Sequence, residues 1–296
     1  SLLDRVLEHV MHRYRWVFVI TFLLPLSVAN DVYSSLRNRF IFWVQSAPKA
    51  HERKVAVIQR QVREWASGDR SKKMCTARSG WATMSFRVPL YKQTSTQIST
   101  DTLVDVLEVD TTALTVRCEP MVTMGQLTRT LLPLGYTLPI VPELDDLTVG
   151  GMINGCGVES SGRKYGLFQH ICNSFEIVLA DGSLVTAAKE SGDADMQGLY
   201  YGIPWSHGTL GFLVAATIRI IPCQPWVKLT YFPVRGGFEA TTKLLERESN
   251  IAENEFVEGI QYDREQAVVM RGRFCEKPPR NALVNRIGAW HKQWFY

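Results

Sequence analysis

The stretch from Pro142 to Gly166 constrains this chain most, because it places six glycines within 17 residues. They are Gly150, Gly151, Gly155, Gly157, Gly162 and Gly166. Glycine destabilises helices and strands, so this density predicts sharp turns or a close backbone approach to a ligand. Thr148 is a good helix cap, and free N–H groups at a glycine-rich helix start suit a pyrophosphate. A glycine-rich surface loop without a ligand is the competing interpretation.

Two common nucleotide motifs are excluded. The sequence has no G-x-x-x-x-G-K-[ST], so a Walker-type phosphate loop is absent. Gly155-Cys156-Gly157 is followed by Val158, Glu159 and Ser160, so the G-x-G-x-x-G fingerprint lacks its third glycine. A dinucleotide bound here would therefore need a fold other than the Rossmann type. The acidic residues upstream suit backbone N–H groups or a ribose better than a phosphate; they are Glu143, Asp145 and Asp146.

The positive charge is concentrated at the N-terminal end. Residues 1–73 carry 13 Lys or Arg against 6 Asp or Glu, whereas the whole chain has a net charge of only +4. This excess surrounds an apolar segment, which favours attraction to anionic lipid headgroups over nucleic-acid binding. The six cysteines form no C-x-x-C pair and no zinc pattern, which predicts reduced thiols and no metal site.

Trp16 to Ala29 is an uncharged, apolar run of 14 residues. Extending it from Tyr14 to Tyr33 reaches the length of about 20 residues that crosses a bilayer. Arg15 can extend its charged end to the headgroups, and Pro25 is tolerated in membrane helices. We expect a membrane helix; a buried core helix and a cleaved signal peptide are the alternatives.

Periodicity predicts several elements. Apolar residues at helical spacing predict an amphipathic helix over 51–65. Alternating residues in 104–109 and 114–118 predict a hairpin. A second hairpin is predicted around Asp181-Gly182, and residues 190–197 are expected to form a polar loop. Residues 227–273 read as strand, helix, strand, strand.

The order of motifs carries a resemblance. V-T-M-G-Q-L, G-Y-T-L-P, the glycine loop, A-D-G and G-T-L-G-F follow one another as in the flavin domain of the p-cresol methylhydroxylase and vanillyl-alcohol oxidase type. The resemblance implies an α+β fold with a two-subdomain FAD-binding domain, preceded by a membrane helix and followed by the start of an α+β substrate domain. The expected boundaries are 1–50 for the anchor, 51–225 for the FAD-binding domain and 226–296 for the incomplete substrate domain.

The resemblance also implies the cofactor-binding residues. They are Arg78, Ser79, Gly80 and Trp81 in a first loop; Thr148, Val149, Gly150, Gly151, Met152, Ile153, Asn154, Gly155, Cys156, Gly157, Val158, Glu159 and Ser160 in a second loop; and Tyr165 and Gly211. Many relatives attach FAD through a histidine of the first loop, and this chain has none between Ala77 and Ser85. We therefore expect non-covalent FAD.

Stretches such as PELDDLTVGG, KYGLFQHIC and GTLGFLVAA resemble the sterol side-chain reductases of this family. That resemblance implies a sterol substrate, NADPH as reductant, contact with membrane lipid and no nucleic-acid partner. It implies the endoplasmic reticulum membrane with a cytosolic flavin domain, and the Golgi membrane as a second location. The catalytic acid is not assigned; candidates by type are Tyr165, His170, Tyr201 and His207.

Two other functions stay open on sequence grounds: an FAD-linked oxidase of a sugar, lactone or phenol, and a non-catalytic, membrane-anchored sterol-binding protein. Members of the family extend beyond position 296. We therefore expect the 296 residues alone to bind FAD weakly and to reduce sterols little.

Overall fold

The computed structural model describes residues 13–78 and 90–285. Its N-terminal feature is one continuous helix, α1 (Arg15–Trp43), with a π-helical turn at Val19–Leu23. By length and composition alone this helix could cross a membrane, and none of its most apolar window is buried. The apolar segment predicted from the sequence therefore lies in a helix that leaves its side chains exposed.

Helix α2 (Ala47–Ser67) follows after a three-residue turn. It begins with proline in its first turn, where the missing N–H costs nothing. Val55, Ile58 and Val62 are buried, as their spacing predicts, and they pack in a small core with residues of the sheet. The helix expected over 51–65 is confirmed and starts four residues earlier.

The remaining elements alternate short helices with strands. The helices are α3 (Met124–Leu131), α4 (Val149–Asn154), α5 (Gly162–Tyr165), α6 (Ala194–Gly202) and α7 (Gly237–Ser249). The strands are β1 (Met74–Thr76), β2 (Thr96–Ile98), β3 (Val106–Asp110), β4 (Thr115–Cys118), β5 (Tyr136–Thr137), β6 (Cys172–Val178), β7 (Leu184–Ala188), β8 (Phe212–Arg219), β9 (Ile221–Pro222), β10 (Trp226–Arg235), β11 (Phe256–Gln261) and β12 (Gln266–Cys275).

The largest sheet has five strands in the order β3-β4-β8-β6-β7, and all its neighbouring strands are antiparallel. Both predicted hairpins, β3-β4 and β6-β7, are present. The main apolar core lies between this sheet and helices α3, α4 and α6, and Phe168 and Phe175 are among its fully buried side chains. Strands β1 and β2 form a separate parallel pair.

One sequence prediction is wrong. The polar stretch 190–197, expected as a loop, runs into helix α6, which begins at Ala194. Asp193 caps this helix, because its carboxylate accepts the N–H groups of Asp195 and Met196. Tyr200, on the same helix, stacks on Phe175 with ring centroids 5.2 Å apart. The cap and the core contacts of Leu199 and Tyr200 outweigh the polar composition that suggested a loop.

The C-terminal strands form a second sheet in the order β10-β12-β11, covered on one face by α7. Phe232 and Val234 face the helix. Alternate residues of the same strand lie on the other face, where Leu229 and Tyr231 are 39% and 43% exposed. The predicted strand-helix-strand-strand unit is therefore confirmed, with one apolar face open.

Candidate functional site

Helix α4 fixes the start of the glycine loop. Thr148 caps it, and its Oγ1 accepts the N–H of Gly151 at 3.3 Å, as predicted from the sequence. Val149, Met152 and Ile153 are buried in the main core. Their side chains therefore anchor the helix in the core.

The first amides of α4 are already bonded within the protein. Val149 donates its N–H to the Val122 carbonyl at 2.9 Å, and Gly150 donates its N–H to the Pro120 carbonyl at 2.7 Å. The expectation of free N–H groups at this helix start is therefore wrong. The helix docks on the segment before α3 instead of presenting its end to an anion.

Free amides follow the helix. In the described part of the chain, the N–H groups from Cys156 to Ser161 donate to no protein acceptor, although neighbouring carbonyls are used: Phe168 donates to Gly157, Gly162 to Glu159 and Val257 to Ser160. Consecutive unpaired amides in a loop are suited to bind an anion. The anion-binding capacity of this region therefore lies after the helix.

The glycines of the loop have different physical reasons. A Cβ on Gly150 would lie 2.8 Å from Pro120 Cβ, and one on Gly157 would lie 2.9 Å from Phe168 Cβ. Both are therefore required by packing within the chain. A Cβ on Gly151 would meet, among the described residues, only the Thr148 hydroxyl at 3.2 Å. Gly151 is exposed, so its backbone is open to an approaching group.

Asn154, at the end of α4, ties the loop to the turn that leads into β8. Its Oδ1 accepts hydrogen bonds from Ser206 Oγ at 3.2 Å and from the N–H of Gly208 at 3.1 Å. Two non-glycine residues of this turn have positive φ, Trp205 at 65° and His207 at 51°. The turn is thus held in an uncommon conformation beside the glycine loop.

Gly211 ends that turn with φ of 155°, and a Cβ there would lie 2.6 Å from Ile177 Cγ2. Packing against β6 therefore explains this glycine without a ligand. Its expected contact with a cofactor stays a prediction.

Glu159 carries the main electrostatic feature of the loop. Burial, and after it the nearby Glu143 and Glu258 carboxylates, raise the pKa of its carboxyl to about 7. A substantial fraction of Glu159 is therefore protonated at neutral pH. This lowers the negative charge where an anion would bind.

Tyr165 and its neighbours join the loop to the second sheet. Its hydroxyl donates to Glu255 at 2.6 Å, and Lys164 Nζ contacts the other oxygen of that carboxylate at 2.6 Å. Arg163 donates to the Ile251 carbonyl at 3.2 Å and also to that of Asn254. Burial and then Glu255 raise the pKa of Tyr165. The open-faced sheet is therefore attached directly to the glycine loop.

The other acid candidates are separated. His170 Nδ1 accepts the N–H of Leu167 at 2.9 Å, which gives that ring a structural role. His207 lies in the strained turn, and Tyr201 is exposed on α6. The structure does not bring these side chains and Tyr165 together into one acid–base group.

The first predicted loop is only partly described. The carbonyl of Arg78 accepts a hydrogen bond from Lys92, and burial lowers the pKa of the Arg78 guanidinium. Ser79, Gly80 and Trp81 lie outside the described residues. No three His, Cys, Asp or Glu side chains within 13–78 and 90–285 group to hold a metal ion, and all six cysteines are free thiols.

Sequence reasoning missed a buried group of charges beneath α1 and α2. Its members are Arg37, His51, Lys54, Asp105, Arg117, Glu119 and Glu176. They come from two helices and three strand regions, so no local spacing connects them. The one available signal was the presence of charged residues at otherwise apolar positions, such as His51 in the buried stripe of α2.

The fold and the glycine loop together indicate the class of protein. Residues 59–188 match the FAD binding domain family, a span that contains the glycine loop and most of the five-stranded sheet. The solved structure of alkyldihydroxyacetonephosphate synthase aligns with a TM-score of 0.57 at 16% identity, over 73% of this chain and 45% of that chain. The α+β fold is therefore that of an FAD-binding domain of the p-cresol methylhydroxylase type.

Relatives of higher sequence identity indicate a narrower group within this class of proteins. The delta(24)-sterol reductase of Homo sapiens is 52% identical over 98% of this chain. The delta(24)-sterol reductase homolog dhcr-24 of Caenorhabditis elegans is 49% identical over 99% of it. The chain is thus a homologue of the delta(24)-sterol reductases over nearly its whole length. It spans about half the length of these relatives, covering 55% and 57% of them.

Proposed function

We propose that this protein reduces the side-chain C24 double bond of sterol intermediates, with non-covalent FAD as cofactor and NADPH as reductant. The observation that carries the proposal is the identity of about half of all residues to delta(24)-sterol reductases, sustained from the apolar helix to the second sheet. Nothing in the chain favours the alternative of a sugar, lactone or phenol oxidase.

The glycine loop fits an FAD pyrophosphate. The free amides from Cys156 to Ser161 would bind the phosphate oxygens, and Gly151 leaves room for the backbone to approach them. The side chains of Val149, Met152 and Ile153 would support the loop from the core, and Arg78 to Trp81 would contribute the first loop. When bound, FAD supplies the hydride chemistry.

Non-covalent attachment is proposed because residues 77–85, in the first loop, contain no histidine. Cys156 is an exposed free thiol of the second loop. The FAD should therefore leave the protein on acid or heat denaturation. Flavin that stays with the precipitated chain would contradict this, and Cys156 would be the first residue to replace.

The open face of the second sheet fits an apolar substrate. Val227, Leu229 and Tyr231 are exposed on this face, and β11 is bonded to the loop through the N–H of Val257 and the carbonyl of Ser160, 2.9 Å apart. A sterol side chain placed between this sheet and the cofactor would be shielded from water. That shielding is needed, because an isolated alkene must receive a proton and a hydride together.

Helix α1 supports membrane anchoring. Residues 15–33 are all exposed, and 19 helical residues span about 28 Å, close to the roughly 30 Å hydrocarbon core of a bilayer. Beyond them the helix packs on the soluble part through Ile41 and Phe42. We place the anchor in residues 1–50, the FAD-binding domain in 51–225 and the substrate domain from 226 onward. The endoplasmic reticulum, with the flavin domain cytosolic, is the proposed location, and the Golgi membrane a second one.

The test is spectroscopic. Purified full-length protein should show flavin absorbance that is bleached by NADPH and restored by a sterol with a C24 double bond. Bleaching by a sugar, lactone or phenol, with oxygen consumption, would replace the proposal by the oxidase. Absence of flavin from freshly purified protein, with no uptake of added FAD, would rule out both enzymes.

A further inference from the structure

The buried charges form a continuous path from α1 to the glycine loop. Arg37 of α1 contacts Asp105 at 2.6 Å, and Lys54 of α2 bridges Asp105 and Glu119 at 2.7 and 2.8 Å. His51 Nδ1 lies 2.8 Å from the same Glu119 carboxylate. The path therefore converges on one residue.

Glu119 is fully buried, with no exposed side-chain area. Besides His51 and Lys54, its carboxylate accepts the backbone N–H of Asp105 at 2.8 Å, and its own N–H donates to the Asp105 carbonyl at 3.1 Å. Three donors from two separate segments thus hold the side chain of Glu119, and the Asp105 carbonyl holds its backbone N–H. Movement of this residue would break several of these bonds together.

The next residue contacts the cofactor loop. The Pro120 carbonyl accepts the N–H of Gly150 at 2.7 Å, and Pro120 Cβ lies 2.8 Å from the position that a Cβ on Gly150 would occupy. Pro120 and the first turn of α4 are therefore in direct contact. A shift of Pro120, which follows Glu119 in the chain, would therefore displace the first turn of α4.

Stability alone does not explain the group. Replacing a buried ion pair by apolar residues of similar volume is often neutral or stabilising. We therefore explain this group by its role in fixing how secondary-structure elements align with one another. Here the elements are α1, α2 and the segment before α3. The same burial makes the removal of one partner costly, because it leaves an uncompensated charge.

We propose that Glu119 is a positioning residue for FAD binding: it holds Pro120, and through Pro120 the start of α4, in register with α1 and α2. This inference rests on the proposed FAD site. Lys54 and His51 act through Glu119, and Arg37 extends the same register to the apolar helix through Asp105. None of these side chains touches the cofactor.

The test measures backbone hydrogen exchange and FAD affinity on full-length protein in detergent micelles. In Glu119→Gln, the hydrogen-bonded amides of residues 148–157, such as those of Val149 and Gly150, should exchange at least about tenfold faster than in wild type, and FAD should bind about tenfold more weakly, a coupling of ordinary size. Amides of the second sheet should exchange as before. A merely structural role would instead raise exchange throughout the protein.

The matched control is Glu248→Gln. Glu248 is an equally buried carboxylate, 2% exposed, bonded to Arg271 at 3.0 Å in the second sheet unit. It should leave the exchange of residues 148–157 unchanged. Equal acceleration of that segment in both variants, or none in Glu119→Gln, would overturn the proposal.

Two results separate this inference from the proposed function. If wild type binds no FAD, the proposed function is wrong, while the exchange comparison still decides whether Glu119 positions the loop. If Glu119→Gln does not fold, Lys54→Gln decides on the same measurement, because Lys54 is 17% exposed and its loss removes one of the three donors that hold the Glu119 carboxylate. Unchanged exchange of residues 148–157 in that variant would then refute the proposal.

Discussion

Within residues 148–160, Gly151 is the glycine whose missing side chain is not required by packing, since among the described residues a Cβ there would meet only the Thr148 hydroxyl. We therefore predict that Gly151→Val folds normally but binds FAD more than about tenfold more weakly, a loss of over roughly 1.4 kcal/mol. Flavin content and far-ultraviolet circular dichroism, measured together, check this. Unaltered flavin content would move the cofactor away from this loop.

The informative contrast is Gly150→Ala. Its Cβ would push against Pro120, so we expect a loss of thermal stability in the absence of FAD, which Gly151→Val should not show. The two adjacent glycines thus separate a packing effect from a ligand effect.

Glu159 should make FAD binding depend on pH. Burial and the neighbouring Glu143 and Glu258 raise the pKa of its carboxyl to about 7. Ionised Glu159 repels a pyrophosphate, so affinity should fall several-fold between about pH 6 and pH 8, one unit on either side of that pKa. Titration of protein with FAD at both pH values measures the effect. In Glu159→Gln the dependence should disappear, and a slope that persists would assign it to another group.

At the scale of elements, the contact of α2 with the sheet should give stability a characteristic pH dependence. Burial lowers the pKa of His51, but the hydrogen bond to Glu119 and the nearby Glu176 carboxylate, 3.9 Å from Nε2, outweigh it and raise the pKa above 6.5. Its contribution is therefore complete below pH 6.5 and is lost as the pH rises through the raised value.

Glu176 acts in the opposite direction. Burial raises the pKa of its carboxyl, but the nearby His51 ring and the hydrogen bonds from Arg117 lower it from 4.5 to about 2. Its contribution is present above pH 4.5 and lost as the pH falls toward 2. The free energy of unfolding from this pair should be greatest between those limits, and urea unfolding at several pH values measures it. His51→Gln should remove the decline above pH 6.5; an unchanged decline would contradict the assignment.

Helix α1 should hold the protein in membranes. We predict that full-length protein stays in the pellet after carbonate extraction, because 19 exposed, mostly apolar helical residues precede the docked part of the helix. Replacing Ile20 and Leu24, both more than half exposed, by lysine should release the protein without unfolding the FAD-binding domain. Release of the unaltered protein would reduce α1 to a surface helix.

For the whole molecule, local patterns were enough wherever one segment decides its own structure. The Thr148 cap, the hairpin at Asp181-Gly182 and the stripe of α2 were predicted because spacing and turn chemistry specify them. Helix α6 was missed, since its cap outweighs a polar composition.

The site was predictable only in part, because several of its contacts join segments that lie far apart in the sequence. The glycines marked the loop, but the amides of Val149 and Gly150 are occupied by carbonyls from a segment almost 30 residues earlier. Contacts such as Glu119 with His51, 68 positions apart, depend on tertiary pairing that no spacing encodes. The motif therefore located the site, while its free donors became visible only in three dimensions.

The contact of α1 with the FAD-binding domain would determine whether this protein meets its substrate in lipid or in water. With α1 in a bilayer, as proposed, the contact between Arg37 and Asp105 would keep the FAD-binding domain at the membrane surface, away from the surrounding water. A sterol substrate would dissolve in the lipid, so encounter would be a two-dimensional process governed by the mole fraction of sterol among lipids. Adding inert phospholipid at fixed amounts of protein and sterol should therefore slow reduction although no bulk concentration of either has changed. A rate indifferent to that dilution would mean that the sterol arrives from the aqueous side, delivered by a carrier.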